Sequence, residues 1–133
     1  MLGKDLASVS FLKHKTMVYL FNTNIVPSPA VVRVRTITRE AAKEIVNKTA
    51  PDNVISAIGH EATAKCLSEI LGIEVKPNRI NAQPEHYDCA ITLKLNGRVE
   101  EGKILYMEDM EKMGYTLYLM EFYNEDYQIS QPY

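Results

Sequence analysis

The chain has no tryptophan and only two cysteines, Cys66 and Cys89. The pair shows neither metal-ligand spacing nor a C-x-x-C motif, and two cysteines are too few for a disulfide scaffold, so the default is free thiols in a reducing compartment. A Cys66–Cys89 bridge stays open only for the intracellular protein of a hyperthermophile. No apolar run is long enough to cross a membrane as a helix. The opening stretch MLGKDLASVSFLKHKT lacks the continuous apolar segment and small-residue cleavage site of a signal peptide. Neither sign of charge dominates: the formal net charge of -2 leaves no global field for nonspecific DNA or RNA binding. Internal repeats and low-complexity segments are missing too. A secreted scaffold, a membrane protein and a polybasic clamp are thereby set aside, and a cytosolic protein is expected.

The common strong motifs are also lacking: there is no Walker loop, no G-x-G-x-x-G, no G-x-S-x-G and no H-E-x-x-H. His14, His60 and His86 are scattered and no Cys/His cluster accompanies them, so neither a metal nor another cofactor is expected. His14 falls in the start of the chain and His86 in a hairpin-type loop, and both are read as solvated.

What is present is an ordinary globular pattern. A length of 133 residues accommodates one domain with a sizeable core. Met17–Phe21 (MVYLF) is short, β-branched and aromatic, which predicts a buried strand. A loop cluster, NTNIVPSP, follows it. Val31–Ile37 alternates, with Val32, Val34 and Thr36 on one side and Arg33 and Arg35 on the other, as in a half-exposed strand with a solvated arginine face. Thr38 is a good N-cap for REAAKEIVNK, whose apolar side is Ala41, Ala42, Ile45 and Val46. Pro51 and Asp52 close that unit.

A second helix is expected to begin near Ser56–His60, to bury Ala62, Cys66, Leu67, Ile70 and Leu71, and to stop at Gly72. IEVKPNRI contains a proline, so any strand there is interrupted or lies at an edge. Cys89–Leu95 alternates as a strand and NGR signals a turn. Met107, Met110 and Met113 mark one face of a short helix, more in keeping with core filling than with a methionine site. Tyr115–Tyr123 is the longest strand pattern, and NEDYQISQPY is a polar tail. The order β-β-α-α-β-β-α-β predicts a single-domain α/β fold, a mixed β-sheet flanked by helices.

Two stretches bear on chemistry. In SAIGHEAT (Ser56–Thr63), His60 stands at a helix start, where unpaired N–H groups and the helix dipole suit a phosphate. Gly59 permits close approach of a ligand to the backbone, and Thr63 can cap the helix or donate its hydroxyl to the same anion. A positive charge is disfavoured at that end, so a catalytic acid there calls for a nearby carboxylate. Taken alone, these surroundings still favour an ordinary helix-start residue. In GRVEEGKIL, Glu100 and Glu101 lie between Arg98 and Lys103, and locally a charged, solvated turn is the simpler reading.

Together, SAIGHEATAKCLSEILGIEVKPNRI and GRVEEGKIL resemble the viral ring nucleases, the type III anti-CRISPR family of archaeal viruses, phages and mobile elements. The pattern is S/A-x-I-G-H-x-x-T, an apolar helix ending in Gly, then N-R-[IV], then R-[LV]-x-[DE]-G and a final aromatic strand. Here these fall at Ser56–Thr63, Asn78–Ile80, Arg98–Gly102 and Tyr115–Phe122, and VYLFN matches the family's first strand with its trailing Asn22. The likeness covers a domain at 17–123, leaving an N-terminal extension at 1–16 and a polar tail at 124–133.

The resemblance implies a homodimer that holds cyclic tetra-adenylate across its two-fold axis. It further implies metal-free opening of that ring to linear di-adenylates with 2′,3′-cyclic phosphate ends, which would switch off type III CRISPR defence in the host cytoplasm. On this reading His60 is the general acid and Glu101, chosen over Glu100 by its match to the glycine, orients it. Arg98 stabilises charge on the phosphate, with Asn22, Gly59, Thr63 and Arg79 around the ligand. Ala62 departs from a serine found in some members, and NTNIVPSP departs from the commoner NAFSIN of the ligand lid. The rival reading is a non-enzymatic DNA-binding regulator of a virus or mobile element using Arg33, Arg35, Arg79 and Arg98. The balanced charge and the dispersal of these arginines count against it, so no duplex nucleic acid and no membrane are expected as partners.

Overall fold

A computed structural model describes residues 16–100 and 102–128 of the chain. Five strands form one mixed sheet: β1 (Val18–Phe21), β2 (Val31–Ile37), β3 (Val54–Ser56), β4 (Cys89–Leu95) and β5 (Tyr115–Tyr123). Their spatial order is β2-β5-β4-β1-β3. β1 runs parallel to both of its neighbours, with Val18 opposite Val54 and Cys89, whereas β5 is antiparallel to β4 and β2. The central place of β1 explains its unbroken apolar run: all four of its residues are buried.

The helices are α1 (Arg39–Lys48), α2 (Glu61–Leu71) and α3 (Met107–Met113). Thr38 caps α1 as its sequence predicts, its hydroxyl accepting the Ala41 N–H at 3.1 Å. Gly72 ends α2 in the left-handed region at φ 71°, where a side chain would be strained. The buried side chains of all three helices belong to one cluster with Val18, Leu20, Ile91, Leu93, Leu117 and Leu119. Leu67, Ile70 and Leu71 of α2 are sealed within it, each worth ~1.5–3 kcal/mol of burial. Met110 is fully buried and Met107 and Met113 pack beside it, so the methionines of α3 do fill the core.

The helices among the described residues therefore flank the sheet on one face. The other face carries a second cluster of Tyr19, Phe21, Ala90, Met120 and Phe122, which no helix among the described residues covers; Ala82 and residues such as Ala30 and Ala57 pack against it from the loops. β4 consequently departs from the clean alternation of its sequence, because Ala90 to Leu93 are buried on both sides. Thr92, buried on the same face as the second cluster, satisfies its hydroxyl by donating to Asn24 Oδ1 in the loop after β1.

Other expectations need correction. Ser56 belongs to β3, a strand too short for its pattern to register, and α2 starts only at Glu61 with His60 as N-cap. Within α2, Ala62 is exposed in the first turn, where the chain still runs along the surface, and Ala64 is buried in its stead. In IEVKPNRI, where the proline allows at most an interrupted or edge strand, no strand forms, and residues 73–80 run as a strap without regular secondary structure. Its backbone is held by side chains instead: Ser68 Oγ accepts the Val75 N–H at 2.8 Å and donates to Ala64 and Val75 carbonyls.

His86 is not simply solvated, since its Nδ1 accepts the Asn124 N–H at 3.0 Å and its ring lies 3.9 Å from that of Tyr87. Nor is the start of the tail loose, for Tyr127 stacks on Tyr123 at 4.5 Å. His14 and residues 129–133 lie outside the described residues.

Candidate functional site

In sheets with parallel strands, ligands gather beyond the carboxyl ends of those strands. Here β1 leads into Asn22, and β3 leads through Ala57–Gly59 to His60 at the start of α2. The strap returns past the same corner. Asn22, Ala57, Gly59, His60, Arg79, Ile80 and Asn81 line one open cavity of about 470 Å³. That volume lies in the range of cavities for drug-sized ligands, roughly 300–1,000 Å³.

Gly59 has a definite reason to be glycine. Its φ is not in the left-handed region, so backbone strain is not the issue. A Cβ built there would lie 3.3 Å from Arg79 Cγ and 3.5 Å from Arg79 Nε. The arginine side chain thus lies against the bare Cα and passes into the cavity beside His60. His60 is exposed, and its side chain makes no capping hydrogen bond to α2. Among the described residues neither His60 nor Arg79 forms a salt bridge. One imidazole and one uncompensated guanidinium, at a helix N-terminus and beside two amide side chains, suit an anion with hydrogen-bonding substituents.

Four of the residues singled out from the sequence are therefore brought together: Asn22, Gly59, His60 and Arg79. Thr63 is half-buried in the first turn of α2 and does not line the cavity. Arg98 is exposed on the loop that leaves the carboxyl end of β4, also outside the lining. Glu101 lies outside the described residues. Ala57, Ile80 and Asn81 complete the wall; Asn81 directly follows the NRI motif, and that adjacency was the signal available for it.

Other groups are placed away from this corner. Arg33 and Arg35 approach Glu121 with Nε–Oε1 separations of 3.9 and 3.5 Å, and Arg33 lies toward the far end of the sheet from Asn22. Both cysteines are free. Burial, with Asp88 and Glu121 adding to it, pushes the Cys89 thiol up to about 12, so it is no nucleophile at neutral pH. Among the described residues no three of His, Cys, Asp and Glu come together as a metal site. No helix among them is long and apolar enough to cross a membrane.

The mixed sheet, its flanking helices and the polar corner define a single-domain α/β protein with an anion-suited cavity at the ends of its parallel strands. The chain belongs to the STIV B116-like family, whose model matches residues 18–117. Among curated relatives it is 36% identical over 110 residues to protein 26 of a Sulfolobus islandicus filamentous virus, covering 79% of this chain and 91% of that protein. It is 35% identical over 109 residues to ORF117 of Acidianus two-tailed virus, covering 79% and 92%. A bacterial relative, YddF of Bacillus subtilis, is 33% identical over 99 residues, covering 74% and 91%. The fold is that of B116 of Sulfolobus turreted icosahedral virus, with a TM-score of 0.66 at 22% identity over 78% of this chain and 97% of that one.

Proposed function

We propose that the protein is a ring nuclease, a metal-independent phosphodiesterase that opens cyclic tetra-adenylate into linear di-adenylates with 2′,3′-cyclic phosphate ends. The observation that carries the reading is the meeting of His60 and Arg79 in one cavity, over the bare backbone of Gly59. In the reaction the ribose 2′-oxygen bonds to phosphorus as the bond to the 5′-oxygen breaks. The 2′-hydroxyl proton leaves to solvent, and His60 delivers a proton to the departing 5′-oxygen. Holding the 2′-oxygen in line supplies much of the acceleration. A matched general acid adds typically ~10²–10⁴-fold. Arg79 holds the phosphate, and Asn22 contacts the nucleotide. Glu101 and Arg98, assigned from the family resemblance, orient His60 and stabilise charge on the phosphate.

A ring of four nucleotides is larger than a drug-sized ligand, so the single-chain cavity would hold only part of it. A homodimer supplies the rest and places two His60 side chains at opposite phosphates, which accounts for di-adenylate products. The face of the second cluster and the loops beside it expose apolar side chains that a second copy could cover. Val34 in β2 is 47% exposed on that face, and Ile25, Val26 and Ile80 in the flanking loops are each 44–51% exposed. With relatives in archaeal viruses, destruction of the CRISPR messenger is the role that fits.

The test is incubation with radiolabelled cyclic tetra-adenylate in EDTA, beside His60→Ala, with sedimentation to report the oligomer. Linear product from the wild type and none from the variant is expected. Failure to cut, equal cutting by His60→Ala, or duplex DNA binding with a steep salt slope and no cleavage would overturn the reading.

A further inference from the structure

Arg79 sits on a strap without regular secondary structure, yet it lies within ordinary contact distance of Gly59. Something other than a sheet or helix ladder must hold that geometry, and the structure supplies it. Asn78 donates its N–H to the Ile58 carbonyl at 2.7 Å and its Nδ2 to the Ser56 carbonyl at 2.8 Å. Ser56 answers in the other direction, its hydroxyl donating to the Lys76 carbonyl at 2.6 Å. The same hydroxyl lies 3.4 Å from the Ile58 N–H. Three hydrogen bonds thus join Lys76 and Asn78, the strap residues on either side of Pro77, to the end of β3 and the β3–α2 connection. That connection is itself anchored, because Ile58 is fully buried and the Ala57 N–H bonds to the Leu20 carbonyl at 2.9 Å.

We infer that Ser56 and Asn78 are positioning residues of the site, a two-residue clip that sets the Arg79 guanidinium over the cavity beside His60. The inference rests on the ring-nuclease reading for its activity readout, but the clip itself is a claim about Arg79. Neither residue lines the cavity, so neither forms part of the wall that Arg79 and His60 share. Both Ser56 and Asn78 use side-chain groups that an apolar replacement cannot supply. Asn78→Ala removes the Nδ2 donor and keeps the backbone bond to Ile58. Asn78→Asp keeps the shape but sets a carboxylate oxygen against the Ser56 carbonyl. Ser56→Ala frees the Lys76 carbonyl, whereas Ser56→Thr retains the hydroxyl in a strand that tolerates β-branching.

The experiment is a double-mutant cycle on cyclic tetra-adenylate cleavage together with NMR of the Arg79 Nε–H group. Arg79→Ala gives the full loss due to that side chain and assigns its Nε signal by disappearance. Asn78→Ala is expected to lose at least a third of the Arg79→Ala effect on a logarithmic scale. The double variant is expected to be no worse than Arg79→Ala alone, since a clip has nothing left to hold. The Nε signal should move toward that of a free arginine and lose order in Asn78→Ala and Ser56→Ala, and Ser56→Thr should restore it. Losses that multiply in the double variant, or an Nε signal untouched by Asn78→Ala and Ser56→Ala, would overturn the inference. A wild type that does not cleave the ring defeats the functional reading, and the Nε measurement then decides the clip by itself. Should Asn78→Ala fold poorly by its melting temperature, the Ser56→Ala and Ser56→Thr pair carries the same comparison.

Discussion

Replacing Gly59 by alanine should make the protein more stable and the site worse. The backbone at Gly59 is not in the left-handed region, so alanine meets no conformational strain there. Restricting the unfolded chain in this way stabilises by about 0.4–1 kcal/mol when the native conformation is compatible. The new methyl group would lie 3.3 Å from Arg79 Cγ and 3.5 Å from Nε, a few tenths of an ångström too close. Arg79 is an exposed, long side chain, so it yields at little cost to the fold, and the displacement falls on its head group. If that group binds a phosphate, the contact at risk is a charge-assisted hydrogen bond worth ~1.5–3 kcal/mol. Losing it entirely weakens binding of cyclic tetra-adenylate by ~10–100-fold, and a partial loss gives less. Urea denaturation and isothermal titration with a non-cleavable variant background, such as His60→Ala, measure the two quantities separately. Gly59→Ala that binds as tightly as its parent would refute the proposed use of Arg79. A destabilisation beyond about 1 kcal/mol would instead show that Arg79 cannot move, contradicting the description of it as a yielding side chain.

Three further outcomes are expected. Thr92→Val keeps the shape of a buried strand residue but deletes the hydroxyl that ties Asn24; it should cost about 1 kcal/mol and raise the rate of proteolysis in the loop after β1, and an unchanged cleavage pattern would deny the tie. Leu67→Ala, at a fully buried position of α2, should lower the unfolding free energy by ~2–5 kcal/mol in urea melts; a loss below 1 kcal/mol would mean that the helix layer is loosely packed. Because the Cys89 thiol is pushed up from 9.0 to about 12, the folded chain holds its proton after the unfolded chain has lost it. That contribution is complete below pH 9 and is lost as pH rises toward 12, so the urea midpoint should fall across that window and fall less steeply in Cys89→Ala.

Much of the fold could be read from the sequence because its long elements obey strong local rules. Thr38 starts α1 and Gly72 ends α2 as capping chemistry requires, and the apolar run of β1 marks a strand buried on both faces. What escaped was set by tertiary context. β3 is three residues long and exists because Val54 and Ile55 pair with Val18 and Tyr19, a relation no local window contains. The placement of α1, α2 and α3 on one face is likewise a property of crossovers, not of any helix's own pattern. At the site, His60, Gly59, Arg79 and Asn22 were legible through the family motifs, whereas Ala57 and Asn81, inside and next to those motifs, were assigned to the cavity wall only by the meeting of the strap with the β3–α2 connection.

The way the site is built has a consequence for how sequence change acts on it. α2 and the sheet are held by apolar burial, which tolerates exchange of one hydrophobic residue for another of similar volume. The strap is anchored in the core at Val75, but nearer Arg79 it is held by hydroxyl and amide groups, those of Ser56 and Asn78. Each of these bonds is worth only about 1 kcal/mol and joins specific atoms, so a substitution there leaves the fold standing and moves Arg79. Stability and site geometry are thus carried by different chemistry in neighbouring residues. It follows that variation within the core should be nearly silent for the cavity, while a single lost hydroxyl or amide at its edge should not, and a relative lacking both Ser56 and Asn78 would have to hold its arginine by another route.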